Sequence, residues 1–425
     1  MLSLYRVVAR LGHRLPVPHG TLRASLAGRR GAAGRWVAWA ADHRTKGPCI
    51  WAHAASVGEQ QAIEPVLSRL ARARPDATII LTHTSPSILR TVTPGAVCQR
   101  DYLPRDEPAP VVRMLDALHP ALLLFSRGDL WPELVHQAAR RNIPVTVVGA
   151  TVRPRSLRLG RVPRAVLRHT LRDVTWLGAA TPDDADRWAT LGVLPERIAV
   201  TGDPRHDRLL ERIADPRPAT TVRARAGADP VLVAGSVEPS DDDALLEALS
   251  RVLHAGIPLR TVIAPHDPTE RRIAALLAKL AARSLIAGSW PGPRSAPVLP
   301  AASAVVTTAQ GLLADLYLAA DIAYVGGGFR AARLHSIAEP AAVGLPVLIG
   351  PRWAGSTDAE PMVASGGAIP IANDHGHSLA ESILRLVRDP TERTRRGLAA
   401  RGVLRAGAAR ASTAALLRSL ESQSL

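Results

Sequence analysis

The chain has 425 residues, a length that predicts two or three domains with ample buried cores. It contains 53 lysines and arginines against 37 aspartates and glutamates, a formal net charge of +16. This charge favours a polyanionic partner, whether nucleic acid, an anionic membrane surface or a phosphorylated substrate. Cys49 and Cys98 lie too far apart in sequence to indicate a disulfide framework or a zinc site, and they fit a reducing cytoplasm. No segment approaches the ~20 apolar residues that span a bilayer.

Residues 1–47 form an N-terminal basic segment. Residues 1–14 place apolar side chains at helical spacing among arginines, which is too polar for a secretory signal. They predict an amphipathic helix that lies on a membrane or packs on its own domain. Residues 15–47, rich in arginine and glycine, are expected to be a surface segment.

The first α/β series begins at Pro48–Ala55, which reads as a strand running into Ser56-Val57-Gly58-Glu59 and a helix over 60–73. This is the first strand-to-helix corner of a doubly wound domain, where active groups collect. Further strands are expected at 77–82, 121–125 and 143–149. Glu59 is an acid at this corner, and as an acid in a first helical turn it could simply complement the dipole of its helix. His53 is expected to support the strand, since no partner sits at metal-ligand spacing.

Seven arginines fall between residues 153 and 172. They form either a solvated helix face or a surface for phosphate, whose oxygens arginine binds in pairs. The stretch has little aromatic interleaving, which weakens the nucleic-acid hypothesis. The first domain is expected to span 48–210 and to be followed by a linker over 211–230, clearest at Asp215–Pro230.

A second α/β domain is expected over 231–395, with C-terminal helices over 396–425 that could cross back to the first domain. In it, Ile322–Val325 reads as a buried strand that ends at a glycine loop, Gly326–Gly328, which allows close ligand approach. Ser336 is expected to cap the next helix, which Gly344 ends. A helix N-terminus there would attract phosphate, and Glu339 could bind a ribose diol or complement the helix dipole. The glycine spacing is not the dinucleotide fingerprint.

Two stretches, Trp51–Glu59 and Val325–Pro351, resemble signature sequences of the Kdo transferases, bacterial enzymes that place 3-deoxy-D-manno-octulosonic acid (Kdo) on lipid A. Leu130–Pro132 and Val200–Asp207 are similar to the family less specifically. The resemblance implies an α/β protein with two Rossmann-like doubly wound domains facing a cleft, the glycosyltransferase-B fold.

The resemblance further implies an inverting, metal-independent transfer of Kdo from CMP-Kdo to a lipid A precursor. The enzyme would work as a peripheral protein on the cytoplasmic face of the inner membrane, attached to that anionic surface, with no cofactor and no nucleic-acid partner. Glu59 would be the catalytic base, with Asp129 the next candidate. The residues implied to bind the nucleotide sugar are Ser236, Gly326, Gly327, Gly328, His335, Ser336 and Glu339. Those implied to bind the acceptor or its phosphates are Ser56, Gly58, Thr82, Thr84 and Arg155.

The chain departs from the family pattern at several loops. Arg127 stands where the family generally has glutamate, and Leu312 where it often has glutamate. The family's Thr-His-Glu element reads Val-Glu-Pro here, so Glu238 stands where the family has histidine. His266 stands where the family has arginine. Two alternatives therefore stay open: a UDP-sugar transferase or epimerase of the same fold, and a catalytically silent paralogue that acts as a scaffold, which Arg127 and Leu312 favour.

Overall fold

A computed structural model describes residues 20–43, 47–154, 156–214, 229–291, 304–329 and 334–422, together with Leu2, Tyr5 and Arg6. The chain divides into two compact units: residues 1–208 with 405–425, called unit 1, and residues 209–404, called unit 2. Arg155, most of the expected N-terminal helix and most of the expected linker lie outside the described residues.

Unit 1 is built on a parallel sheet of seven described strands. They are β1 (Cys49–His53), β2 (Thr78–His83), β3 (Gln99–Tyr102), β4 (Pro120–Ser126), β5 (Val145–Ala150), β6 (Trp176–Ala179) and β7 (Ile198–Val200). Their order is β3-β2-β1-β4-β5-β6-β7. β1 is buried along its whole length, as expected for a parallel strand covered on both faces.

Helices cover both faces of this sheet. The described ones are α1 (Thr21–Arg29), α2 (Ala32–Asp42), α3 (Val57–Ala73), α4 (Pro108–Leu118), α5 (Pro132–Ala139), α6 (Arg161–Leu171) and α7 (Pro182–Leu191), with 3-10 turns at Pro86–Arg90, Leu157–Leu159 and Pro195–Arg197. The next helix, α8 (Pro204–Ala214), begins in unit 1, and its residues from 209 onward belong to unit 2. Alternate residues of β1 serve two separate cores: Trp51 packs in one and Ile50 in the other. The doubly wound class expected from the sequence is confirmed.

The chain reverses its direction of winding between β1 and β4, which are neighbours in the sheet. The loops that follow these two strands diverge at that point and leave a crevice at the carboxyl edge of the sheet, where ligands bind in open α/β folds. Glu59 follows β1, and Arg127 and Asp129 follow β4.

The expectation that residues 15–47 form only a surface segment is wrong. Trp36 of α2 is 1% exposed and belongs to the core of unit 1. Its indole Nε1 donates to the carbonyl of Tyr102 at 3.0 Å. The arginine and glycine content hid a helix that buries one face. At the N-terminus, Tyr5 donates to Asp106 at 2.6 Å and Arg6 pairs with Glu133, so these residues contact unit 1 itself.

Unit 2 repeats the same design with a second seven-stranded parallel sheet. Its described strands are β8 (Val231–Val237), β9 (Arg260–Pro265), β10 (Ala287–Trp290), β11 (Ala304–Thr307), β12 (Ile322–Val325), β13 (Val347–Ile349) and β14 (Ala368–Pro370). The order β10-β11-β9-β8-β12-β13-β14 places the reversal between β8 and β12. The glycine loop, Gly326–Gly328, follows β12 at that reversal.

The described helices of unit 2 are α9 (Asp242–His254), α10 (Glu270–Ala281), α11 (Leu313–Leu318), α12 (Ala338–Val343), α13 (Ala359–Ala364), α14 (His377–Arg388) and α15 (Pro390–Val403). Ser336 does not cap α12, because the helix begins at Ala338 and its N-cap is Ile337, which makes no side-chain cap. Ser336 lies one residue too early to reach the first N–H groups. Gly344 ends α12 at φ 90°, as expected.

The last helix, α16 (Ala408–Glu421), belongs to unit 1 although unit 2 precedes it in the chain. Its apolar residues Leu416 and Leu420 are buried with Ile63 and Val66 of α3. The carboxylate of Asp207 accepts from the backbone N–H groups of residues 407 and 409, at 2.6 and 2.8 Å. None of the described helices has the length and apolar content needed to cross a bilayer.

Candidate active site

Glu59 lies in the first turn of α3, directly after β1. Its Oε2 accepts from the backbone N–H of Ala55 at 2.7 Å, while Oε1 accepts no hydrogen bond from any described residue. Burial raises the pKa of Glu59 above its usual value. The Ala55 N–H opposes that rise, the charge of Asp129 adds to it, and His53 and Arg127 lower it. A hydrogen bond therefore holds Oε2 of Glu59 in place, while Oε1 can accept a proton.

Asp129 is part of a polar network beneath the same crevice. Its Oδ2 accepts from the Trp131 indole at 3.2 Å and lies 3.5 Å from His53 Nε2. Burial alone would raise the pKa of Asp129, but the interaction with His53, the charge of Arg158 and the Trp131 N–H outweigh it and leave the pKa low. The two carboxyl groups thus have pKa values displaced in opposite directions, a pattern found where one acid acts as base and another stays ionised.

A pocket of about 470 Å³ opens beside Glu59 within unit 1. Its lining residues are Ser56, Gly58, Glu59, Arg127, Thr151, Val152, Arg153, Ser156, Arg158 and Arg205. Four guanidinium groups face one carboxylate, so the pocket has an excess of positive charge. An oxyanion such as a phosphate is the ligand that such an arrangement attracts.

Hydrogen bonds fix three of the four arginines. Asp203 is 5% exposed and binds Arg205 through Nε at 2.8 Å and Nη2 at 2.6 Å. Arg127 lies 3.7 Å from the same carboxylate and donates to Thr151 at 3.1 Å. Arg158 donates to the carbonyl of residue 128 at 2.9 Å. Arginines held in this way lose little conformational entropy when an anion binds.

Arg127 is paired rather than disruptive. Where the family generally has glutamate, this arginine faces the carboxylate of Asp203. Arg127 also adopts φ 60°, a left-handed conformation that non-glycine residues rarely take, and its backbone N–H donates to Val148 at 2.9 Å. The charge of Asp203 offsets that of Arg127, and Arg127 lines the anion pocket.

Two threonines predicted to face the acceptor differ in outcome. Thr82 is fully buried, and its hydroxyl bonds the Trp51 indole at 2.9 Å and His53 at 3.0 Å. That burial contradicts the prediction of an acceptor contact, because the hydroxyl serves the sheet. Thr84 is partly exposed and donates to the Ala55 carbonyl at 3.3 Å, beside the backbone that holds Glu59. Arg155 lies outside the described residues.

In unit 2, the buried carboxylate of Asp241 joins the loops that follow β8 and β12. It accepts from the backbone N–H of Glu238 at 2.7 Å and of Gly327 at 2.9 Å, and from the Tyr324 hydroxyl at 3.1 Å. A Cβ on Gly326 would lie 2.4 Å from the Ser236 carbonyl, so only glycine fits there. The sequence analysis did not single out Asp241.

The other residues expected to bind the nucleotide sugar surround the same reversal of the sheet. Ser236 has φ 52° in the loop after β8, and Gly327 has φ 90°. His335 is held by its backbone N–H to the Gly326 carbonyl at 3.2 Å, and Glu339 occupies the first turn of α12. Leu312, the second departure from the family pattern, packs against the apolar core of unit 2.

Three residues that are distant in sequence meet near this loop. Glu238, His266 and His335 each present one ligand atom, and these atoms lie within 4.8 Å of one another. His335 Nε2 is 3.2 Å from Glu238 Oε1, and the two imidazole rings stack with centroids 4.2 Å apart. The sequence did not reveal this cluster, because each residue follows a different strand.

The chain is similar in sequence to one family of known enzymes. Residues 27–208 match the family model described as 3-deoxy-D-manno-octulosonic-acid transferase (kdotransferase). The 3-deoxy-D-manno-octulosonic acid transferase of Bordetella pertussis is 29% identical over 416 residues, covering 91% of this chain and 93% of its own. That of Haemophilus influenzae is 28% identical over 367 residues, covering 84% and 83%. Over most of its length, this chain is similar in sequence to the Kdo transferases.

Solved structures agree with the fold. A UDP-GlcNAc 2-epimerase from Neisseria meningitidis, solved bound to UDP-GlcNAc, is similar with a TM-score of 0.62 at 15% identity, over 87% of this chain and 100% of the epimerase chain. At that identity the likeness concerns the architecture alone. It confirms the glycosyltransferase-B class that was expected from the sequence.

The Kdo transferase signature at Trp51–Glu59 thus has a clear structural counterpart: it supplies β1, the Ala55 N–H and the first turn of α3. Sequence reasoning missed Thr151 and the role of Asp203 in the arginine pocket. The signal available for Asp203 was its position in the Val200–Asp207 match, which also contains Arg205.

Proposed function

We propose that this chain is an inverting glycosyltransferase that moves Kdo from CMP-Kdo to a lipid A precursor. The similarity to Kdo transferases supports the reaction class. The observation that carries the proposal is the position of Glu59, a carboxylate of raised pKa that lines a pocket with four arginines. A base next to an anion-binding surface suits a hydroxyl acceptor that bears phosphates.

In the proposed step, Glu59 Oε1 accepts the proton of the attacking hydroxyl as that oxygen bonds to the anomeric carbon of Kdo. The bond from the anomeric carbon to the phosphate oxygen breaks, and CMP leaves with the electron pair. General bases typically contribute about a hundred- to ten-thousand-fold to such steps. The Ala55 N–H holds Oε2, so the carboxylate keeps one orientation while Oε1 takes the proton.

Asp129 takes a positioning role in this proposal. Its Oδ2 is engaged by Trp131 and His53, and its pKa is low, which makes it a weaker base than Glu59. Its negative charge raises the pKa of Glu59, so Asp129 acts on the reaction through Glu59. This assignment replaces the hypothesis that Asp129 is the alternative base.

The pocket arginines would bind phosphate oxygens of the acceptor, with Ser56 and the backbone of Gly58 contributing at the start of α3. Arg153 is exposed and donates no hydrogen bond to any described residue, so its guanidinium is available to a ligand. Bidentate guanidinium–phosphate pairs are among the stronger polar contacts in proteins. We also retain Thr84 as a lesser candidate, since it is partly exposed at the same crevice.

For the nucleotide sugar, the proposal places CMP at the reversal between β8 and β12. Ser236, the glycine loop and His335 converge there, and Glu339 could accept hydrogen bonds from the ribose hydroxyls. Asp241 would act indirectly, by fixing the two loops through the N–H groups of Glu238 and Gly327. Ser336 is exposed next to these residues and remains a candidate contact.

The net charge of +16 supports a peripheral association with the anionic cytoplasmic face of the inner membrane, where a lipid A precursor would be presented. The described N-terminal residues Tyr5 and Arg6 contact unit 1, which favours attraction by surface charge over insertion of this segment.

The direct test is incubation of the full chain with CMP-Kdo and a lipid A precursor, followed by mass spectrometry. The expected product gains the mass of one or more Kdo residues and is formed with release of CMP. Turnover of a UDP-sugar in place of CMP-Kdo would overturn the donor assignment. Absence of turnover with either donor class, in a protein that remains folded, would favour a silent scaffold.

A further inference from the structure

We propose that Glu238, His266 and His335 form a binding site for a divalent first-row transition metal ion such as Zn²⁺. Two imidazoles and one carboxylate are a ligand set that such ions favour, and three protein ligands leave a coordination position open. The proposal adds a metal to a reaction that the sequence analysis expected to be metal-independent.

The three residues occupy equivalent places in the fold. Glu238 follows β8, His266 follows β9 and His335 lies in the loop after β12. These strands are neighbours in the sheet, in the order β9-β8-β12. The cluster therefore stands at the carboxyl edge, beside the reversal at which ligands bind in doubly wound folds.

The distances fit a metal site after small side-chain movement. Tetrahedral ligands at zinc bond lengths of about 2.0–2.1 Å lie roughly 3.3 Å from one another. Glu238 Oε1 and His335 Nε2 are already 3.2 Å apart. His266 has its ligand atom within 4.8 Å of both and is exposed, so its ring can turn toward them.

The backbone of each ligand residue is fixed. The N–H of Glu238 donates to Asp241 at 2.7 Å, that of His266 to the Val237 carbonyl at 3.1 Å, and that of His335 to Gly326 at 3.2 Å. These hydrogen bonds hold the backbone positions from which the three ligand side chains project, so that only the side chains need to move when an ion binds.

Two of the three ligands are departures from the family pattern, and both fall in the same cluster. The family pattern has arginine where His266 stands and histidine where Glu238 stands. In that pattern, the arginine would supply a fixed positive charge. Here a bound cation would supply that charge. Its open position would take an oxygen of a phosphate, and this second part rests on the proposed binding of CMP in unit 2.

The metal site is tested without substrate. Chelator-treated full chain is titrated with Zn²⁺ by calorimetry and with Co²⁺ by its visible absorption. We expect one tight equivalent, with Glu238→Ala and His266→Ala each weakening it at least tenfold and abolishing the Co²⁺ spectrum. The control is His254→Ala, which removes an imidazole on α9 whose Nδ1 lies 2.6 Å from the Ser250 carbonyl. Equal affinity in wild type and the cluster variants would overturn the site, as would an equal loss in His254→Ala.

The phosphate contact is tested separately through CMP affinity. We expect Zn²⁺ to tighten CMP binding at least fivefold in wild type and to have no effect in His266→Arg, which carries a permanent charge in place of the ion. Equal CMP affinity of wild type with and without Zn²⁺ would overturn the phosphate contact. Neither the metal titration nor the CMP affinity measurement depends on Kdo transfer. A negative result in either can therefore be distinguished from failure of the proposed reaction.

Discussion

At the scale of single residues, the two carboxylate oxygens of Glu59 have different environments. Its Oε2 satisfies a backbone N–H at the start of α3, as an acid in a first helical turn often does. Its Oε1 is left without a hydrogen bond from the described residues, in a pocket that lacks any other carboxylate among its lining. The helix-terminus and catalytic interpretations of Glu59 are therefore compatible, and each belongs to a different oxygen.

Glu59→Gln keeps the size of the side chain and removes its basicity. We expect turnover to fall about a hundred- to ten-thousand-fold, the usual contribution of a general base, while CMP affinity and fold are retained. Glu64→Gln on the same helix is the matched control, since that carboxylate pairs with Arg208 at 2.8 Å. Wild-type turnover in Glu59→Gln would show that the carboxylate serves only the helix terminus.

Arg127 offers a test through pH. A base works only when deprotonated, so kcat should fall as the pH drops through the raised pKa of Glu59. The positive charge of Arg127 lowers that pKa. In Arg127→Gln the pKa should rise further, and the acidic limb of the kcat profile should move to higher pH. Arg410→Gln, an exposed change on α16, should leave the limb in place. A limb that stays fixed or moves to lower pH in Arg127→Gln would contradict the coupling.

Glu339 tests the nucleotide assignment. Loss of hydrogen bonds to a charged acceptor costs on the order of 1–3 kcal/mol, so Glu339→Ala should weaken CMP binding by roughly five- to 150-fold. Calorimetric titration of CMP measures it, with far-ultraviolet circular dichroism as the control for folding. An unchanged dissociation constant would assign Glu339 to the helix dipole alone.

At the scale of helices and strands, sequence reasoning succeeded where burial dictates the pattern. The strand expected over Ile322–Val325 is β12 residue for residue, and that expected over 121–125 lies within β4. Strands covered on both faces are continuous apolar runs, so composition alone reveals them. Trp36 was missed because the arginines and glycines of its segment conceal one buried face.

The site residues were harder to assign than the strands. Motifs placed Glu59 and Ser56 at the pocket, but no local pattern says that the Thr82 hydroxyl turns inward. Glu238, His266 and His335 come together only because β9, β8 and β12 are adjacent in the sheet. Strand order depends on packing over the whole unit, and a single sequence does not display it.

Asp207 fixes the start of α16, and its removal tests how that helix is held. It is 4% exposed and accepts from two backbone N–H groups, which makes it an N-terminal cap supplied from another segment. Asp207→Ala should lower the free energy of unfolding by about 1–2 kcal/mol. Urea denaturation measures it, with the exposed Asp243→Ala on α9 as the control. Equal stability of Asp207→Ala and wild type would show that apolar packing alone holds α16.

At the scale of the whole molecule, charge is the dominant property. The net charge of +16 should draw the protein to anionic vesicles, with binding lost as salt rises, because exposed charges are screened within about 10 Å at 0.1 M salt. Co-sedimentation with anionic and with neutral vesicles across a salt series measures this. Binding that persists at high salt would indicate insertion of the N-terminal segment, and no binding to either vesicle would remove the membrane proposal.

The return of α16 to unit 1 has a consequence for biosynthesis. The ribosome synthesises β1 and α3 long before α16, and all of unit 2 is synthesised in between. During that interval the α3 face around Ile63 and Val66 lacks the cover of Leu416 and Leu420. A nascent chain halted after residue 404 would present this apolar face to chaperones, and unit 1 would finish folding only after α16 has been synthesised.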